Sequence, residues 1–208
     1  MYGTEFVCSD YTTNFTITGK VKVSGNLVAL VNGTFGVRTW FRSLFRKCLG
    51  LIDASELVFP SKINYCGFMS MFEGCTNLVK APKILPAMKL DGICYESMFK
   101  DCTSLMEAPK LPATMTSNRC YKSMFEGCKS LTKAPDLPAL SLSQDCYNKM
   151  FCNCIKLNYV KALCVDNVAN WTIGNWLSGV ASSGTFVKNA AATWNVVGAS
   201  GVPEGWTV

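Results

Sequence analysis

The chain has 208 residues, 49% of them hydrophobic and 16% charged, which supplies material for a sizeable core and too little charge for a disordered tail. No apolar run approaches the roughly 18 residues that a membrane span requires, so no transmembrane segment is expected. Histidine is absent, which removes Ser-His and Cys-His nucleophile pairs, His-liganded metals and the usual general base near neutral pH. The formal charge is +6, but the basic residues stand singly rather than in the runs that track a phosphate backbone, and no nucleic-acid partner is expected.

Residues 1–40 alternate apolar and polar side chains, as in FTITGKVKVSGNLVALV, with Gly19, Gly25 and Gly33 between the runs. This predicts a hairpin or two, a β-rich N-terminal cap. Met1 leads into YGTEFVCSDY with no basic start, apolar stretch or small-residue cleavage site, so no signal peptide is expected. An excised domain, a cytosolic protein and a virion component all fit that start.

Residues 41–164 are repetitive. Cys48, Cys75, Cys102, Cys128 and Cys154 recur at steps of 27, 27, 26 and 26, and Cys94, Cys120 and Cys146 at steps of 26. Aligned on them, the chain reads CYESMFKDCTSLMEAPKLPA from Cys94, CYKSMFEGCKSLTKAPDLPA from Cys120 and CYNKMFCNCIKLNYVKALC from Cys146, with FMSMFEGCTNLVKAPKILPA from Phe68 and a degenerate copy from Phe41. Such a period marks stacked coils, each too small to bury its own apolar face. Cys94, Tyr95, Met98, Phe99 and Cys102 fall at i, i+1, i+4, i+5 and i+8, which predicts a short helix with one apolar face, while Glu96, Lys100 and Asp101 face water. Asp91, Ser117-Asn118 and Ser141 to Ser143 are its expected N-caps. Leu105, Ala108 and Leu111, interrupted by Pro109 and Pro112, predict a short irregular strand that pairs in parallel with its neighbours.

The run MFxxCxxLxxAPxLPA resembles the leucine-rich repeats of the bacterial surface-antigen (BspA-like) type, versions of which occur in gut Bacteroides proteins and their phages. It covers about three fifths of the chain. The resemblance implies an α/β solenoid, a right-handed stack of about five 26–27-residue coils of short helix and short parallel strand, belonging to virion or cell-surface recognition proteins without catalysis. Two departures stand out: the units are longer than that family's, and the Ala-Pro-x-Leu stretch carries one residue more before the strand leucine, which predicts a bulge or a kinked strand.

Residues 165–208 hold Trp171, Trp176, Trp194 and Trp206. A helix from about Trp171 to Ala181 and two or three strands around Phe186, Trp194 and Trp206 are expected to cap the last coil, since terminal repeats must be covered and aromatics bury the most area. The alternative is a glycan patch made of the same four tryptophans, in a secreted carbohydrate-binding module.

The candidate chemistry is sparse. Only Cys152-Asn-Cys154 approaches the paired spacing of a zinc site, and cysteines recurring at core positions read as buried free thiols, with Cys8, Cys152 and Cys164 outside the columns. No metal, cofactor or enzymatic activity is expected. The sequons at Asn14, Asn32 and Asn170 carry no weight. Tyr95, Tyr121 and Tyr147, with Phe68, form an aromatic column expected in the core with hydroxyl tips at the solvent. A polar column of Lys80, Glu107, Lys133 and Lys161, with Lys83, Lys110 and Asp136 two or three residues on, should point outward from the stacked strands. Solenoids bind through such faces, so these are the expected partner-binding residues, facing a virion neighbour, a host surface protein or a surface polysaccharide, and the expected location is a virion or a bacterial surface.

Overall fold

The computed structural model describes residues 19–30, 41–165, 170–192 and 196–208. Strand β1 (Val21–Asn26), followed by the single-turn helix α1 (Leu27–Leu30), pairs in parallel with β2 (Leu51–Val58). The partner of β1 among the described residues is the strand of the first repeat, reached by a crossover as parallel pairing requires, a pairing the expected hairpin does not include. The rest of that expectation lies outside the described residues.

Parallel pairing continues from β2 through single bridges, Asp53 to Lys80 and Lys80 to Glu107, then Lys133 to Tyr159 in β3 (Tyr159–Ala162). β3 pairs with β4 (Thr185–Lys188), and Thr185 bridges to Thr207. The ladder breaks at each Ala-Pro because proline has no N–H to donate. Bridges flank the gap at Lys80–Glu107 and Ile84–Lys110, and again at Lys133–Tyr159 and Leu137–Ala162, so the earlier coil spends one residue more than the later between bridges, as in a bulge.

The segments expected as helices fold differently. Between Ile93 and Cys102 the N–H groups alternate in destination. Those of Ile93, Tyr95, Ser97, Phe99 and Asp101 donate to carbonyls of the next coil, at Asn118, Cys120, Lys122, Met124 and Glu126, over 2.7–3.0 Å. Those of Glu96, Met98, Lys100 and Cys102 close three-residue turns onto Ile93, Tyr95, Ser97 and Phe99 over 3.1–3.2 Å. Ile93, Ser97 and Asp101 have φ of 61°, 55° and 59°. A left-handed residue every fourth position converts a helix into a ribbon of successive turns. The same pattern recurs at Cys66, Ser70 and Gly74, at Arg119, Ser123 and Gly127, and at Asp145, Lys149 and Asn153. The ribbon wins because an α-helix would spend its N–H groups within one coil, whereas here half of them bind the next coil.

The core runs along the stack between ribbon and strands. Phe45, Phe72, Phe99, Phe125 and Phe151 stack at centroid distances of 5.3–5.6 Å. Beside them Phe41, Phe68, Tyr95, Tyr121, Tyr147 and Trp176 form a second ladder at 5.4–6.1 Å. All three tyrosines are buried, and the Tyr95 hydroxyl is itself buried without a hydrogen-bond partner, so the expectation that the hydroxyl reaches solvent is corrected for Tyr95. Glu96 does not face water either: it is buried and takes Arg119 of the next coil at 2.7 Å. Each cysteine of the long column donates its thiol to a phenylalanine carbonyl of the preceding coil, Cys75 to Phe45, Cys102 to Phe72, Cys128 to Phe99 and Cys154 to Phe125, over 2.8–3.1 Å. In the second column Cys120 and Cys146 touch, Sγ to Sγ, at 3.2 Å.

The coil frame carries on past Cys164. The short helix α2 (Asn170–Ile173) gives way at Gly174 to another length of turn ribbon, with positive φ at Asn175 and Gly179. Tyr147, Lys149, Phe151 and Asn153 donate to Thr172, Gly174, Trp176 and Ser178. The helix expected to reach Ala181 therefore stops after one turn.

Candidate functional site

Six of the seven charged residues singled out in the sequence line two adjoining depressions on the strand face. One, an open groove of about 760 Å³, is lined by Ile84, Met106, Glu107, Lys110, Lys133 and Asp136 over a floor of alanines and prolines. The second, about 750 Å³, lies between Ser55 and Glu56 of the first coil and Lys80, Lys83, Met106 and Glu107. Ala108 and Lys110 belong to both. Lys161 adjoins this face through its ion pair with Asp136 at 3.1 Å.

Local sequence explains the arrangement. In each strand segment the small or branched residues point inward, Ala81 and Leu85, Leu111, Ala134 and Leu137, all buried, and the residues between them must point out. The kink at Ala-Pro turns that alternation into two rims, one carrying Lys80, Glu107 and Lys133 and the other Lys83, Lys110 and Asp136, with the flat prolines between them.

The rims are partly neutralised. Lys80 lies 3.9 Å from Asp53 and Lys83 lies 3.5 Å from Glu56. Two hydrogen bonds from Ser55, hydroxyl at 2.7 Å and N–H at 2.9 Å, hold the Asp53 carboxyl below its ordinary range, with the Lys80 charge adding to them. The Lys133 ammonium sits 4.8 Å above the Tyr159 ring, a cation–π contact. Lys110 and Glu107, in the middle, have no ion pair among the described residues. Such exposed pairs are weak, each worth about 0–1 kcal/mol, so a ligand can exchange them.

Sequence reasoning missed the apolar part of the groove. Met106 is 61% exposed and Ile84 is 42% exposed, and both stand on the rims beside the lysines. Their signal was available: each adjoins a polar-column residue, but an apolar residue in a repeated coil reads first as core.

The three described tryptophans of the C-terminal segment do not form a surface patch. Trp176 is fully buried, with its indole N–H on the Gly201 carbonyl at 2.9 Å, and Trp206 is buried with its N–H on Ala181 at 2.8 Å. Their faces are covered and cannot stack on a sugar. Trp171 alone of the described three is open, at 52%, and Trp194 lies outside the described residues.

Among the described residues no group of three or more Cys, Asp or Glu side chains is placed to hold a metal ion, and no helix is long and apolar enough to cross a membrane. Cys164 is buried and Cys152 half-buried; Cys8, Asn14 and Asn32 lie outside the described residues. Comparison of the chain with protein-family models, with curated proteins and with solved structures finds no match. The leucine-rich-repeat resemblance therefore rests on its motif.

Proposed function

We propose that this chain is a non-catalytic recognition or structural module, a leucine-rich-repeat-like solenoid that meets its partner through the strand-face groove. As the BspA-like motif implies, it serves as a fibre, decoration or tail component of a phage particle or as an adhesin on a bacterial surface, and its partner is a protein or a glycan. The observation that carries this reading is the convergence of Lys80, Lys83, Glu107, Lys110, Lys133 and Asp136, drawn from three coils, on two adjoining open depressions that share Met106, Glu107 and Lys110, with exposed Met106 and Ile84 among them. Charged side chains interleaved with exposed apolar ones are what a binding surface requires and a merely solvated face does not. The rival reading, a carbohydrate-binding module using the C-terminal tryptophans, has less support because two of the four rings are buried.

The test is binding of the fluorescently labelled protein to intact Bacteroides cells. The pair Lys83→Glu and Lys110→Glu is expected to lower binding by about tenfold or more, the scale of two charged contacts. Lys129→Glu, outside the groove, is expected to leave it unchanged. Equal loss in both variants, or retention in the groove variant, overturns the reading.

A further inference from the structure

We propose that the groove takes a linear acidic polysaccharide, lying along the stack axis with about one sugar per coil and its carboxylates directed at Lys110 and Lys83. This rests on the reading of the strand face as the binding surface and names its ligand.

Spacing supplies the first argument. Parallel rungs repeat every ~4.8 Å, and an extended peptide presents same-side residues every ~6.6 Å, so the peptide loses register with the coils within two or three rungs. A polysaccharide of equatorially linked pyranoses advances by close to one rung per sugar and keeps register throughout. Width supplies the second. The two rims are three residues apart along each strand segment, from Lys80 to Lys83 and from Glu107 to Lys110, which is ~10 Å in extended chain and admits a single polymer strand. The depressions run from Ser55 in the first coil to Pro138 in the fourth, four rungs in length.

Chemistry supplies the third. Pyranose rings offer C–H faces and rims of hydroxyls, and the groove answers with a floor of alanine and proline, exposed Met106 and Ile84, and charged donors and acceptors on both sides. The residues lining the depressions include Lys80, Lys83, Lys110 and Lys133 against Glu56, Glu107 and Asp136. Asp136 is already held by Lys161, whereas Lys110 has no ion pair among the described residues. Its backbone N–H is bonded to the Lys83 carbonyl at 3.0 Å, so the two residues stand on neighbouring rungs, with the Lys83 ammonium 3.5 Å from Glu56. A ligand carboxylate gains the unpaired Lys110 ammonium and competes with Glu56 for that of Lys83. A neutral glucan gains the C–H contacts but not this term.

The experiment is calorimetric titration of the whole chain with β-1,4-linked oligoglucuronates of two to eight sugars, with cello-oligosaccharides of equal length and the same linkage as neutral controls and oligoglutamate as the acidic peptide. The uronate series is expected to bind, with affinity rising up to about four sugars, one per rung of the groove, and level beyond. Affinity should fall as salt is raised and should drop about tenfold in Lys110→Ala, the scale of one charge-assisted contact, but not in Lys129→Ala. Equal binding of cello-oligosaccharides overturns the carboxylate argument, and equal or tighter binding of oligoglutamate makes the ligand an acidic peptide. If none of the three binds while the Lys83→Glu, Lys110→Glu protein still fails to bind cells, the ligand class is wrong and the surface stands. If that variant binds cells normally, the surface itself is wrong.

Discussion

A buried thiol is an acid whose ionisation the fold suppresses. Burial pushes the Cys75 and Cys154 thiols up to about 12 and Cys164 up to about 11, and raises Cys94, Cys102, Cys128 and Cys146 well above the ordinary 9.0. Folded-state values above the unfolded one mean that the unfolded chain releases protons first as pH rises. The stability these groups lend is complete below pH 9 and is lost between pH 9 and about 12. Each thiol contributes a slope of about 1.4 kcal/mol per pH unit in that window, and the seven act together. Urea unfolding at pH 8.0, 9.0 and 10.0 is therefore expected to show a smaller loss over the first step and a steeper one over the second. Cys102→Ala should make the loss shallower. A free energy that stays level from pH 8.0 to 10.0 would mean that these thiols are not free to titrate. The sequence made the cysteine columns and their burial legible through their period. It did not reveal their hydrogen bonds to phenylalanine carbonyls, because those join coils rather than neighbours in sequence.

At the level of the element, the expectation of a helix failed for a reason visible in particular residues. The buried pairs Cys94-Tyr95 and Met98-Phe99 recur every four residues, and Cys102 continues that count. A 3.6-residue helix would have rotated Cys102 away from the first pair. The residue just before the long-column cysteine is Lys47, Gly74, Asp101, Gly127 or Asn153. All have positive φ, and four of the five belong to the types that tolerate it. That column was a readable turn signal, and the apolar spacing alone concealed it. Lys149 offers a clean discrimination: it is exposed, has φ of 54° and lies in the middle of the expected helix. Lys149→Gly in a helix interior costs about 0.7–1 kcal/mol. In the ribbon it relieves a left-handed side-chain clash of about 1–2 kcal/mol, offset in part by backbone entropy in the unfolded chain. An unchanged or higher melting temperature is the expected result, and a fall of several degrees would restore the helix.

At the scale of the whole molecule, charge alternates from coil to coil in two columns. Arg46, Glu73, Lys100 and Glu126 occupy one ribbon column, with ion pairs from Arg46 to Glu73 at 3.0 Å and from Lys100 to Glu126 at 3.2 Å. The rim column runs Asp53, Lys80, Glu107 and Lys133. Equivalent residues of stacked coils lie one rung apart, so a column of like charges would repel along its whole length. Alternation removes that repulsion and also distinguishes one coil from the next among otherwise similar repeats, which opposes slippage by one unit. Sequence inspection listed these residues as a mixed polar face. Their pairing required knowing which residues share a rung.

That alternation makes removal of one coil informative. Deleting residues 95–120 joins Cys94 to Tyr121 and leaves the apolar columns in frame, with Phe72 meeting Phe125 and Cys75 meeting Cys128. Each coil contacts chiefly its neighbours, so the shortened chain is expected to fold. It also brings Glu73 against Glu126 and Lys80 against Lys133, a like-charge contact in each column. The deletion should therefore cost stability beyond the lost interface, about 0.5–1 kcal/mol per like-charge pair, and the penalty should shrink as salt is raised. Glu126→Lys in the shortened protein restores the opposite-sign contact with Glu73 and is expected to raise its melting temperature. In the full chain the same substitution sets a second ammonium beside Lys100 and should lower it. A substitution that shifts both proteins in the same direction would show that the columns do not interact along the stack, and a shortened chain that fails to fold even with Glu126→Lys would show that the coils are not interchangeable units.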